Sequence, residues 1–130
     1  MKRRTYIQTM LAGASAAVAA NAQGAAHPIQ LHVDMMVAPA KEKEMIKNFE
    51  TIFKPAAVKF PGYIDVKIVK LRSALMGKAP EGLNYRFVLT YQSEELRQKW
   101  IASDVHQKVW PTIENTLANK NYTVLLFDVA

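Results

Sequence analysis

Residues 29–55, IQLHVDMMVAPAKEKEMIKNFETIFKP, change their hydrophobic period in mid-course. Over 29–38 the pattern alternates, with Leu31, Val33, Met35 and Val37 on one face and Gln30, His32, Asp34 and Met36 on the other. A period of two predicts a strand with one fully apolar face. Pro39 ends it, because proline cannot donate to a ladder. From Lys41 the step becomes three and four. Met45, Ile46, Phe49, Ile52, Phe53 and Ala56 form a stripe, and Lys41, Glu42, Lys43, Glu44, Lys47 and Lys54 lie mostly off it. That predicts an amphipathic helix over 41–59. At Pro55 the helix either kinks, or ends and restarts.

The chain beyond this pair repeats it in a second form. Phe60-Pro61-Gly62-Tyr63 is a turn by its Pro-Gly step. Residues 63–71 read as a strand with Ile64, Val66 and Ile68 on one face. Val69 and Leu71 fall on the other, which implies a bulge or a second apolar contact. Residues 73–82, rich in small residues with Gly and Pro, are a loop. Residues 83–91 alternate Tyr85, Phe87, Leu89 and Tyr91 against Arg86, Val88 and Thr90. Ser93-Glu94-Glu95 has the hydroxyl cap and first-turn acids of a helix start, and the helix runs to about Ala102. Ser103-Asp104 offers a second cap for a segment over 105–117. Trp110-Pro111 predicts a bend there, since the residue before proline resists the α region. Residues 121–129 are the last strand. The order β-α-β-β-α-β is α+β, a ferredoxin-like split βαβ: four antiparallel strands with both helices on one face. The other faces carry His32, Met36, Val69, Leu71, Val88 and part of the last strand, too apolar to stand open to water. A second sheet packed there, in a homodimer, accounts for them.

Composition narrows the class further. The chain has 130 residues, half of them apolar, so it holds one domain at most once a leader is removed. Residues 1–26 have a basic tip, an uncharged Ala- and Gly-rich run and Ala20-Asn21-Ala22, the order of an export signal cleaved near Ala22. The run is too short and weakly apolar to span a membrane. Arg3-Arg4-Thr5-Tyr6-Ile7-Gln8 resembles the twin-arginine motif, with Gln8 where Lys is common. The expected mature domain is therefore 27–130, periplasmic or secreted. Of the net charge of +6, three units come from Lys2, Arg3 and Arg4. Beyond the leader 14 basic residues face 11 acids, scattered without a basic stripe, which excludes a nucleic-acid partner. With no cysteine there are no disulfides, thiolate nucleophiles or Cys-based metal sites.

The chemistry concentrates in residues 100–113, WIASDVHQKVWPTI, which hold both tryptophans and one of three histidines. His106, Trp110 and Ile113, spaced four and three apart, share a helix face. A neutral imidazole there can take the proton of a phenol or enol, and its ordinary pKa suits that task. Trp100 and Trp110 can stack on a planar ring. The plainer alternative stays open: both tryptophans are core and His106 is a surface residue. His32 and Asp34, two apart on one strand face, are either an oriented pair or part of the dimer interface; no third metal ligand is fixed by spacing. Arg86 and Tyr91 are candidates for holding an anionic or phenolic group, with Arg86 alternatively paired to an acid across the sheet.

The strand order, the block YQSEELRQKWIASDVHQKVWPTI at 91–113 and the closing NYTVLLFDVA at 121–130 resemble the antibiotic-biosynthesis-monooxygenase-like domain, over about residues 29–129. The resemblance implies a dimeric α+β barrel of ferredoxin-like subunits. It also implies one of several activities: cofactor-free oxygenation of aromatic or quinol substrates, haem degradation, an isomerase-like signal-processing role, or none. The haem-degrading branch uses an Asn on the first strand, a Trp on the helix and a haem-ligating His about ten residues after it. Trp100 matches the Trp, but Trp110 stands ten residues on and Val33 near the Asn, with His106 one turn earlier as a displaced ligand. The expectation is a cofactor-independent, metal-free monooxygenase-like domain for a small planar molecule. His106 would be its base and Trp100, Trp110, Tyr91 and Arg86 would line its site. The alternative is a non-catalytic ligand- or partner-binding domain of the same fold.

Overall fold

The structure, a computed structural model, describes residues 27–130. The export signal expected in residues 1–26 lies outside the described residues. Four strands, β1 (Ile29–Met35), β2 (Tyr63–Lys70), β3 (Tyr85–Tyr91) and β4 (Thr123–Asp128), form one antiparallel sheet in the order β2-β3-β1-β4. The sheet is ferredoxin-like, as the element order predicts.

β1 sits in the middle because its alternation is clean: Ile29, Leu31, Val33 and Met35 are all buried, and the residues between them are half-buried. Opposite it in β3, Tyr85, Phe87, Leu89 and Tyr91 face the same way. The first helical stretch covers these residues. It comprises α1 (Glu42–Asn48), a π-helical turn (Phe49–Phe53) and α2 (Lys54–Ala57). At Pro55 one helical segment ends and a last turn restarts, with the proline in its first turn and the backbone at Phe53 and Lys54 still helical. In a regular α-helix the Pro55 ring would meet the carbonyl of Thr51, and the wider π turn immediately before it relieves that contact. Phe53 then sits at the centre of the core. It packs edge-on to Phe87, Trp100 and Trp110 at ring-centre distances of 5.1, 5.9 and 6.1 Å, pairs that stabilise by about 0.5–1.5 kcal/mol each beyond area burial.

The second helical stretch is α3 (Glu94–Ala102), α4 (Asp104–Val109) and α5 (Pro111–Glu114). Both expected caps form: Ser93 Oγ accepts from the Leu96 amide at 3.2 Å and Ser103 Oγ from the His106 amide at 3.1 Å. Ser103 itself is extended, so the chain breaks direction between α3 and α4. Trp110 differs from expectation. It keeps helical dihedrals, φ −62° and ψ −41°, and its amide still bonds to the His106 carbonyl at 3.0 Å. Pro111 starts a new helical turn, where a missing N–H costs nothing. Past Glu114 the chain leaves the helix, and Leu117 bridges Val37. Gly62, at φ 95°, brings the β2 turn against α3: a Cβ there would lie 2.8 Å from the Leu96 side chain.

The pairing of β2 is regular from Asp65 to Lys70, so no bulge accounts for Val69 and Leu71; the one irregularity lies at the start of the strand. The register slips between Tyr63 and Asp65, which turns Ile64 outward while Val66 remains fully buried. Val69 and Leu71 stay on the sheet's open face. β4 is one of the two edges, and every residue in it is exposed. No helix among the described residues is long and apolar enough to cross a membrane.

Candidate functional site

The sequence-picked residues Trp100, His106 and Trp110 meet around one cavity of about 180 Å³, between the sheet and both helical stretches. Leu31, Val33, Phe87 and Leu89 form its floor, Phe53 and Ile101 its sides, and Tyr122 and Val124 its rim beside β4. Trp100 is fully buried. His106 comes in from α4, its ring 5.2 Å from Trp100 and nearly perpendicular to it, and 6.3 Å from Trp110 and nearly parallel. The Ser103 cap sets this approach, because it restarts the helix one turn before His106.

Burial, and then the positive charge of Arg97, hold the His106 pKa below the ordinary imidazole value. The ring is therefore neutral near pH 7. Its Nδ1 is buried without a hydrogen-bond partner among the described residues. To act as a base the ring carries its proton on Nδ1 and accepts at Nε2. Trp110 is held by a short relay: its Nε1 donates to Tyr122 Oη at 3.1 Å, and Tyr122 Oη donates to Glu114 Oε2 at 2.7 Å. Burial first, and the bond to Glu114 next, raise the Tyr122 pKa, so the phenol stays protonated.

Arg97 also lines the cavity and was not singled out in the sequence. Its Nε and Nη2 donate to the two Glu94 carboxylate oxygens at 2.6 and 2.7 Å. The spacing could have revealed it, since Arg97 lies three residues before Trp100 on the same helix face. Tyr122 had no such signal; the sheet brings it to Trp110 from twelve residues away.

Tyr91 and Arg86 are not brought to this cavity. Tyr91 is fully buried in the core, its Oη without a partner among the described residues, and burial raises its pKa. Arg86 points from the opposite face of the sheet, where Nε and Nη2 clasp Asp34 at 2.6 and 3.1 Å. It borders a separate open groove of about 390 Å³ at the β2–β3 loop, with Lys70, Arg72 and Lys78. His32 and Asp34 do not pair: His32 Nε2 lies 2.7 Å from Gln30 Oε1, and Gln30 Nε2 donates to Thr90 Oγ1 at 3.1 Å. Among the described residues no three His, Asp or Glu side chains gather as a metal site would require.

The cavity also bears on haem. An enclosed apolar cavity of about 150 Å³ holds one benzene ring; this one, about 180 Å³ and partly open to solvent, has room for one ring within its walls. The three positions that matter in the haem-degrading branch do line it, as Val33, Trp100 and Trp110. Neither valine nor tryptophan can ligate iron. His106, one turn before Trp110, is the one lining side chain that could ligate iron, so the residues at that branch's own ligand and Asn positions do not fit haem.

No family model matches the chain, and no curated protein matches its sequence. Solved structures do match in fold. A candidate antibiotic biosynthesis monooxygenase from Caulobacter crescentus is 18% identical with a TM-score of 0.63, over 84% of this chain and 95% of that one. A dimeric ferredoxin-like protein from Jannaschia is 16% identical with a TM-score of 0.62, over 79% and 98%. A haem-degrading protein from Mycobacterium tuberculosis, in its haem-free form, is 18% identical with a TM-score of 0.56, over 81% and 93%. The fold is the ferredoxin-like α+β fold of the antibiotic-biosynthesis-monooxygenase-like proteins. At these identities the likeness extends to the fold alone.

Proposed function

We propose that this chain is an exported, homodimeric monooxygenase-like protein that oxidises a small phenol or quinol with O₂ and no cofactor. The observation that carries the reading is that His106, neutral at pH 7, shares an apolar one-ring cavity with Trp100 and Trp110.

The chemistry balances without an added reductant. His106 Nε2 takes the phenolic proton, leaving an electron-rich phenolate. Electron transfer from the phenolate to O₂ and recombination at the para ring carbon form a C–O bond. The imidazolium returns its proton to the outer peroxide oxygen. With a phenol that has a free para position, loss of the ring hydrogen with cleavage of the O–O bond then releases water and leaves a quinone; a 1,4-quinol, which carries a hydroxyl there, instead loses hydrogen peroxide from that carbon to give the quinone. The cavity walls contribute by holding the ring still. Dimerisation would cover the sheet's open face, where Leu125 and Phe127 are exposed at 42% and 47%; the Jannaschia relative is itself described as dimeric.

Oxygen uptake with a panel of monocyclic quinols and phenols tests the reading. Uptake by wild type that His106→Ala abolishes is the expected result. Uptake absent across the panel, or unchanged by the substitution, would count against it. Binding without uptake would favour a carrier of the same fold.

A further inference from the structure

We propose that the cavity selects single-ring aromatic anions, with Arg97 as the residue that holds the anionic oxygen. The inference refines the substrate class of the reading above, but it concerns binding and stands or falls separately from oxygen chemistry.

Three observations support it. The cavity volume of about 180 Å³ admits one ring with small substituents. Its lining is otherwise apolar, aromatic or neutral near pH 7, and Arg97 is the single charged side chain in it. Third, the Arg97–Glu94 pair is oriented. The Arg97 side chain is 17% exposed and Glu94 34%, and Glu94 does not line the cavity. Two of the three guanidinium nitrogens are occupied by Glu94, while Nη1 has no partner among the described residues. The pair is neutral as a whole, yet its positive member lines the cavity and its negative member does not. In an apolar surround that dipole favours an oxygen anion on the inner side. Fixing two nitrogens on a carboxylate also pre-organises the third, so little side-chain entropy is lost when a ligand binds. A phenolate generated at His106, or a carboxylate on the ring, meets this requirement, and a neutral apolar ring leaves it unused.

The two tryptophans of the chain both line the cavity, so intrinsic fluorescence reports its occupancy. The purified protein is titrated with 4-hydroxybenzoate, with its neutral isostere 4-hydroxybenzamide, and with the two-ring 6-hydroxy-2-naphthoate. The expected result is about ten-fold or more tighter binding of the acid than the amide, as for a charge-assisted hydrogen bond, with the naphthoate excluded. Arg97→Gln should bring the acid-to-amide ratio near one, and Arg97→Lys should keep part of the preference. Glu94→Gln leaves the guanidinium unpaired and should raise the preference; it also decides the matter if Arg97→Gln fails to fold. Equal wild-type affinity for acid and amide, no binding of any probe, or a preference that survives Arg97→Gln overturns the proposal. Acid-selective binding with no oxygen uptake sinks the oxygenase reading alone.

Discussion

His32 and His106 lie on opposite faces of one sheet, and their settings differ in the way that matters for chemistry. His32 is on the open face. Its Nε2–H is committed to Gln30, which is committed in turn to Thr90, and Phe127 packs edge-on at 4.7 Å. His106 is on the covered face, with no ring hydrogen bond among the described residues and an apolar cavity beside it; Nδ1 is buried and unpartnered in both rings, so the difference lies at Nε2. Both pKa values are lowered, chiefly by burial. For His32, Arg86 lowers the value further while Asp34 raises it; for His106, Arg97 lowers it and no carboxylate opposes. Two histidines of similar protonation state therefore differ in availability: one is part of a polar lattice within a sheet surface, the other a lone base in an apolar space. A depressed pKa alone would not separate them.

Removing each imidazole gives the sharpest break in the comparison. His106→Ala should lower quinol-dependent oxygen uptake by about 100-fold or more, the usual weight of a general base. His32→Ala should leave it within about two-fold, measured on the same substrate. The open face is tested next by Leu125→Asp with Phe127→Asp. If a second sheet packs there, two buried apolar anchors become charges and dimer affinity falls by about 30-fold or more, read by sedimentation over a concentration series. A protein monomeric before the change would remove the dimer from the proposal. Third, Arg86→Met leaves the Asp34 carboxylate, 10% exposed, without its partner. The loss should be about 1–2 kcal/mol in chemical denaturation, less than for a fully buried pair because Arg86 is 37% exposed.

The smallest effect is on pH. The base works in its neutral form, so the acid limb of oxygen uptake should lie below the ordinary imidazole value of 6.5. Arg97 is the charged group facing His106, and Tyr122, bonded to Glu114, is the titratable one across the cavity. Arg97→Gln should move the limb upward by less than about one pH unit, stopping short of 6.5 because burial remains. The same depressed values make a stability statement. Above the unfolded imidazole value neither histidine penalises the native state. As pH falls from there through the lower folded values, the unfolded chain gains protons first and stability declines.

Much of the fold was legible because it rests on local periods. Leu31, Val33 and Met35 alternate and are buried; Ser93 and Ser103 have cap chemistry and cap. The conflict of faces at Val69 and Leu71 was visible, but it is no bulge; the slip that does occur, at Tyr63, depends on β3 pairing and left no sign in the period. Trp110 went against a local rule, because the packing of its ring on Phe53, Phe87 and Tyr122 holds the backbone helical before proline. The site was half legible. His106, Trp100 and Trp110 lie within eleven residues and mark themselves by type. Arg97 is one arginine among the chain's scattered basic residues until the cavity distinguishes it, and Tyr122 comes from another element.

The sequence by itself determined the element order, the apolar face of each strand and the helix starts, because these follow from residue period and from side-chain chemistry within a turn or two. Only the tertiary structure decided which aromatic groups enclose space and which fill it, why Arg86 and Tyr91 stand apart from the cavity, and which histidine is left without a partner. Those outcomes depend on distances between residues far apart in the chain, set by strand register and helix docking.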